Sequence, residues 1–308
     1  MKLRIGTRGS RLSVTQTESV VKDLKSQFPD IQFEVSVIKT TGDKMLNDPL
    51  LKIKEKGIFE KEINKAVING EVDFAVHSMK DIPVDLDQYI RLVAVPKRVS
   101  PHDVLLSNSC LKLSQLPKGT IIGTGSPRRT AQIHKVRPDI KVETIRGNVE
   151  TRVEKLNKGE YDAIIVAEAG LLRLGLSDKI VERLSLEDFT PSAGQGAIAI
   201  VARADNKRVI DVLENTNHPA SIAEVLAEKA FVQKIGGGCK VPMGAVAKAR
   251  NTSISLLATI LSPDGSAKIQ SSKVGDINAP KDLGILVAND ILSGEGEKIL
   301  NSWRKFYE

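Results

Sequence analysis

Aromatic side chains are scarce in this chain. Phe, Trp and Tyr together make up 4% of its 308 residues, and no stretch interleaves arginine with aromatics. Single-stranded nucleic acid needs stacking platforms, so that class of partner is disfavoured. No zinc-finger spacing and no helix-turn-helix segment argues for duplex binding. Cysteine is limited to Cys110 and Cys239, too few for a disulfide framework. The histidines, His77, His102, His134 and His218, do not fall at metal-ligand spacing, so no metal is expected. No apolar run is long enough to cross a bilayer, and no long basic amphipathic helix suits a membrane surface. The opening segment has charge but no apolar h-region. These absences lead us to expect a cytoplasmic protein with free thiols, no nucleic-acid partner and no membrane partner. A monomer is expected.

What is present points to a small acidic ligand. Lys and Arg total 45 against 38 for Asp and Glu, a net charge of +7. With nucleic acid and membrane disfavoured, a small polyanion is the most economical partner for that charge. The hydrophobic fraction is 41% and the charged fraction 27%, an ordinary globular balance, and the length suggests two or three domains.

The pattern along the chain alternates strands with helices. Lys2–Gly6 reads as a strand, and Leu12 opens a helical apolar spacing that Pro29 stops. Phe33–Ile38 alternates like a strand, Gly57–Asn69 like a helix, and Val72–His77 is a short apolar strand. The same grammar returns with strand Thr120–Gly123, then Ser126 as N-cap before Pro127 at the first helical position. Strand Lys141–Ile145, helix Asn148–Asn157 and strand Tyr161–Val166 follow. Ile5-Gly6-Thr7 with Ser10 matches Ile122-Gly123-Thr124 with Ser126, and residues 69–76 match residues 158–165. This degenerate repeat predicts two similar α/β lobes with parallel strand pairs. Linkers fit near residues 96–101 and 190–196, and two crossings imply a hinge around a shared cleft. The expected boundaries are 1–98 with 197–216 for lobe 1, 99–196 for lobe 2, and 217–308 for a small α+β domain. In that last part His218–Val232 and Lys281–Leu292 read as helices, and Val241–Ala247, Ser253–Leu261 and Lys268–Lys273 as strands.

Candidate site residues cluster at predicted strand ends. Gly6-Thr7-Arg8-Gly9-Ser10-Arg11 and Gly123-Thr124-Gly125-Ser126-Pro127-Arg128-Arg129 each place backbone N–H groups and guanidinium groups at a helix start, which suits an anion. Arg146, Gly147 and Arg152 follow at the next strand end. Loops at the carboxyl ends of parallel strands face one crevice, so these arginines converge if the lobes are built alike. Arginine matches carboxylate geometry by forked hydrogen bonding. His77-Ser78-Met79-Lys80-Asp81-Ile82-Pro83 follows a buried-type strand. There Asp81 reads either as a cap before Pro83 or as a group that stabilises a cation or moves a proton. Gly236-Gly237-Gly238-Cys239-Lys240 reads either as a helix terminator with an inert cysteine or as an exposed thiol open to attachment. Chemistry alone leaves a transferase, a carboxylate-binding protein and, on charge only, a nucleic-acid binder open.

Taken in order, IGTRGSRLS (5–13), KTTGDK (39–44), AVHSMKDIP (75–83), IGTGSPRR (122–129), IRGNVETR (145–152), AGLLRLG (169–175), PSAGQGAIAI (191–200) and GGGCKVP (236–242) closely resemble the porphobilinogen deaminase (hydroxymethylbilane synthase) family. The resemblance implies two periplasmic-binding-protein-like α/β lobes and a C-terminal domain that carries a cofactor. It implies a transferase of tetrapyrrole and haem biosynthesis that deaminates four porphobilinogen molecules and joins them head to tail into hydroxymethylbilane. It also implies a dipyrromethane cofactor bound covalently through Cys239. By motif matching, Asp81 is the catalytic carboxylate. Ser78, Lys80, Asp81 itself, Thr124, Ser126, Arg128, Arg129, Arg146 and Gly147 are expected to hold the cofactor, and Arg8, Ser10, Arg11, Arg152, Arg173 and Gln195 the substrate. Two positions depart from the family pattern: Lys240 after the cysteine, and the lysine-rich 52–57 stretch, where roles for Lys52 and Lys56 are less secure.

Overall fold

A computed structural model describes residues 1–41, 60–236 and 241–307. Cys239, Lys240, Lys52 and Lys56 lie outside these residues. The chain opens with β1 (Lys2–Arg8), α1 (Arg11–Gln27) and β2 (Gln32–Ile38). It continues with α2 (Lys61–Ile68), β3 (Phe74–Ser78), a single 3₁₀ turn at Met79–Asp81, and β4 (Ile90–Ala94). Next come β5 (Asp103–Ser107), β6 (Ile121–Gly123), α3 (Pro127–Val136), β7 (Lys141–Glu143) and α4 (Val149–Asn157). After these come β8 (Ala163–Ala167), α5 (Glu168–Leu174), β9 (Glu182–Arg183), β10 (Ile198–Arg203) and α6 (Lys207–Leu213). The last part holds α7 (Pro219–Ile235), β11 (Met243–Arg250), β12 (Ser253–Leu261), β13 (Lys268–Asp276), α8 (Pro280–Ile291) and α9 (Glu297–Tyr307).

Two five-stranded sheets share one topology. Their orders are β2-β1-β3-β10-β4 and β7-β6-β8-β5-β9. In the first, β1 pairs in parallel with β2 and β3; in the second, β6 pairs in parallel with β7 and β8. The expected parallel pairs are present, and each sheet also holds one antiparallel strand. β10 runs antiparallel between β3 and β4, and β5 antiparallel between β8 and β9. Each antiparallel strand is the one by which the chain enters a sheet from the other lobe. The crossing between the sheets therefore dictates its direction, which a local apolar pattern does not encode.

Local chemistry sets the helix starts that face the cleft. Ser10 has extended backbone and its Oγ accepts from Ser13 N at 3.2 Å, while Ser126 Oγ accepts from Arg129 N at 3.4 Å. Each satisfies one of the orphan donors of a helix N-terminus, and Pro127 at the first helical position has no N–H to lose. Each lobe buries its own core, Ile5, Phe74 and Ile200 in lobe 1 and Leu105, Ile122 and Ile165 in lobe 2. The third unit is an antiparallel β11-β12-β13 sheet covered by α7 and α8 around Phe231, Leu256 and Val287. The predicted strand Lys141–Ile145 stops at Glu143. Ile145 is instead buried in the lobe 2 core, within the irregular stretch 144–148 that leads to α4.

Candidate functional site

The site builds up at the carboxyl ends of the parallel strands. Arg8 ends β1, and Ser10 caps the helix that follows. Ser78 ends β3 and leads into the 3₁₀ turn with Lys80 and Asp81. From lobe 2, buried Thr124 follows β6, Arg128 and Arg129 sit in the first turn of α3, and Arg146 and Gly147 precede α4. Gly147 has φ of 110°, a left-handed backbone that favours glycine, and its carbonyl accepts from Arg152 Nε at 2.9 Å. An added Cβ there would meet Thr151 Cβ at 2.9 Å.

Charges from both lobes meet around Lys80. Burial lowers the Lys80 pKa, Asp81 opposes that shift, and Arg129 and Arg152 of lobe 2 reinforce it. Arg152 is pushed down to about 10, first by burial and then by its neighbours Arg129 and Arg146. Arg173 is also pushed down to about 10 by burial, while its Nη2 donates to Gly196 O at 2.9 Å. Among the described residues neither Arg152 nor Arg173 forms an ion pair with a protein carboxylate. Guanidinium groups crowded together and stripped of water favour an anion between them. A ligand bearing carboxylates, such as a dipyrromethane or a pyrrole acid, fits that demand.

Other arginines are already engaged. Asp103, fully buried at the start of β5, accepts from Arg128 Nη1 at 2.7 Å and from Arg129 Nη2 at 2.6 Å. Burial opposes ionisation of Asp103, but the two guanidinium groups outweigh it and hold the acid well below the usual carboxylate range. Arg128 also reaches Ser192 Oγ at 3.2 Å, Gln132 Oε1 at 2.9 Å and Thr190 O at 3.0 Å. Arg129 Nη1 donates to Ile165 O at 3.0 Å. Gln195, 1% exposed, donates to Asp103 Oδ1 at 2.9 Å and to Pro101 O at 2.8 Å. Arg11, an exposed side chain, crosses the cleft and bonds Glu150 Oε1 at 2.8 Å. Asp81, by contrast, is exposed at the end of its turn.

Two supporting residues escaped the sequence reading. Asp103 opens the apolar run Val104-Leu105-Leu106, and an acid at the head of a buried strand was the available signal. Gln16 is buried on α1 and exchanges hydrogen bonds with Ser78 Oγ at 3.1 Å. It stands four and eight residues before Val20 and Leu24, so it interrupts the apolar stripe of its helix with an amide. His77 beside Ser78 is a buried structural group. Its Nε2 lies 3.1 Å from Asn64 Oδ1, and burial lowers its pKa to about 4.

The chain is similar to known proteins over its whole length. Residues 3–211 match the family model described as porphobilinogen deaminase, dipyromethane cofactor binding domain, and residues 222–293 match that of its C-terminal domain. A probable porphobilinogen deaminase of Nitrosopumilus maritimus is 44% identical over 308 residues, covering 100% of this chain and 98% of that protein. The porphobilinogen deaminase of Brevibacillus brevis is 42% identical over 306 residues, covering 99% and 98%. Among solved structures, the chain is similar to a Salmonella typhimurium periplasmic binding protein of high arginine specificity, with a TM-score of 0.41 and 13% identity, covering 70% of this chain and 91% of that one. The two cofactor-domain lobes, the C-terminal unit and the full-length likeness to these deaminases lead to one conclusion: the chain belongs to the porphobilinogen deaminase family.

Proposed function

We propose that the cleft deaminates porphobilinogen and joins four molecules head to tail into hydroxymethylbilane, with Asp81 as the reacting carboxylate. The carrying observation is the meeting of charges at the Asp81 turn: Lys80, next to Asp81 in lobe 1, lies within electrostatic reach of Arg129 and Arg152 of lobe 2. Porphobilinogen bears an acetate and a propionate. Arg152 and Arg173, with Arg8 and Arg146 beside the same strand ends, pair with those carboxylates and fix the ring's orientation. Ser78, Ser10, Thr124 and Ser126 offer hydroxyls or helix-start N–H groups to the same ligands. Arg128, Arg129 and Gln195 act through the rigid Asp103 cluster, which holds the start of α3 against β5.

The covalent dipyrromethane, attached through Cys239, supplies when bound a nucleophilic ring carbon for chain growth. Asp81 serves the substrate. As the aminomethyl C–N bond breaks and ammonia leaves, positive charge remains on the pyrrole. The Asp81 carboxylate stabilises that charge, accepts a hydrogen bond from the pyrrole N–H and takes up the ring proton displaced by carbon–carbon bond formation. Water releases the finished tetrapyrrole.

Intact mass and turnover of two variants test this reading. Cys239→Ser lacks the additional mass of the dipyrromethane that the unaltered protein carries. Asp81→Asn keeps that mass and folds, but loses about 10²- to 10⁴-fold in turnover. Near-normal turnover in Asp81→Asn removes Asp81 from the mechanism.

A further inference from the structure

The helix α7 packs against two domains at once. Ala223, Ala227 and Phe231 enter the core of the C-terminal sheet. Val225, with Ile222 beside it, packs instead against Met79 and Ile82, the residues that flank Lys80 and Asp81. Val225, Lys229 and Gln233 follow one another at intervals of four, so they form one stripe facing lobe 1. Along that stripe Lys229 Nζ donates to Ile82 O at 2.5 Å, and Gln233 Nε2 to Asp85 Oδ1 at 3.0 Å.

The Asp81 turn depends on such support. It is a single 3₁₀ turn, closed by Ile82 N donating to Met79 O at 3.2 Å. Hydrogen-bond geometry in so short a 3₁₀ segment is poor. The upstream end is held by Met79 N on Ala197 O at 3.0 Å. Gly194, with φ of 77°, closes over Met79 so tightly that an added Cβ would lie 2.5 Å from Met79 Cγ. Downstream, Pro83 brings no N–H, and Ile82 is extended with φ of −74° and ψ of 129°. The Ile82 carbonyl is therefore where the turn is clamped from outside, and an ammonium donor makes a stronger bond there than a neutral one. At its far end α7 stops at Ile235, with Gly236 left-handed at φ of 77°. Cys239 follows three residues later in the sequence.

We propose that Lys229 is a positioning residue that locks the Asp81 turn to α7, the helix that precedes the cofactor cysteine in the sequence, so that the carboxylate keeps one placement relative to that helix through successive condensations. This rests on the reading of Asp81 as the reacting carboxylate. Loss of the clamp leaves carboxylate-binding arginines in place but lets the turn drift, and small misplacements of a reacting group are costly in rate.

The experiment compares Lys229→Met, which keeps most of the stem, with Lys229→Arg in the full chain. Amide hydrogen exchange of residues 79–85 reads the turn directly, and intact mass reads cofactor attachment. For Lys229→Met we expect about tenfold faster exchange in that segment, unchanged cofactor mass, KM for porphobilinogen within about twofold, and kcat lowered about tenfold. Lys229→Arg restores both exchange and kcat. Unchanged exchange or unchanged kcat in Lys229→Met overturns the proposal. So does a loss of activity and thermal stability that Lys229→Arg fails to rescue. Full turnover in Asp81→Asn would overturn it through its premise, and the exchange data identify that failure separately because they do not depend on which group performs the chemistry.

Discussion

The two lobes share a strand order, a capping serine and a glycine loop, yet they treat charge in opposite ways. Strand register makes the comparison residue by residue. Ser78 pairs with Ile198 in lobe 1, and Ala167 pairs with Asp103 in lobe 2, so Ile198 and Asp103 occupy equivalent positions at the start of the crossing strand. Counting from the capping serines, Leu12 and Ser13 stand where Arg128 and Arg129 stand. An aspartate and two arginines in one lobe are thus replaced as a set by Ile198, Leu12 and Ser13 in the other. A buried charge without partners is costly, so such groups are present or absent together. Lobe 2 uses its set to stiffen the cleft wall. Its next acid, Glu168, is also engaged, bonded to Ser100 Oγ and to Arg183 Nη2 at 2.5 Å. Lobe 1 leaves its acid, Asp81, exposed. Similar folds thus bury the acid of one lobe in ion pairs and leave that of the other open to solvent.

The largest expected break in this pattern comes from Asp103→Asn, which strands two buried guanidinium groups. Urea denaturation should show a loss of about 3–5 kcal/mol. Transplanting the lobe 1 set, Asp103→Ile with Arg128→Leu and Arg129→Ser, should recover part of that loss, because removing all three charges leaves no buried ion of the cluster without a partner. A triple variant less stable than Asp103→Asn would refute the equivalence of the two sites.

A smaller effect separates the lobes by pH. His77 in β3 corresponds to Val166 in β8. Its folded pKa of about 4 lies below the unfolded value of 6.5. The unfolded chain therefore binds the proton first as pH falls. The stabilising contribution is complete above about pH 6.5 and is lost as pH drops towards about 4. Between about pH 7 and 5 this amounts to about 2 kcal/mol. In His77→Val, the lobe 2 residue, urea titrations at the two pH values should lose that dependence; an unchanged slope would assign it elsewhere.

The smallest effect lies between the lobes. Arg11 and Glu150 join them at 2.8 Å, but the arginine side chain is 70% exposed. A double-mutant cycle should give about 0.2–1 kcal/mol, vanishing in molar salt. A larger, salt-resistant coupling would mean that this pair does more than tie the lobes.

Elements governed by neighbours in the chain were legible before any coordinates. The Ser126 cap, the Pro127 helix start, the paired lobes and the placing of candidate residues at strand ends follow from short-range rules: hydrogen-bonding side chains, fixed proline torsions and apolar periodicity. Motif order carried the family; Cys239 lies outside the described residues. Long-range pairing was not legible. Nothing near Arg128 indicates that its carboxylate stands at residue 103, nothing in β10 indicates antiparallel entry, and nothing in α7 indicates that Lys229 reaches a carbonyl 147 residues away. Residue type sets what a side chain can bond, whereas the partner it meets depends on how distant segments pack, and that depends on burial summed over the whole chain.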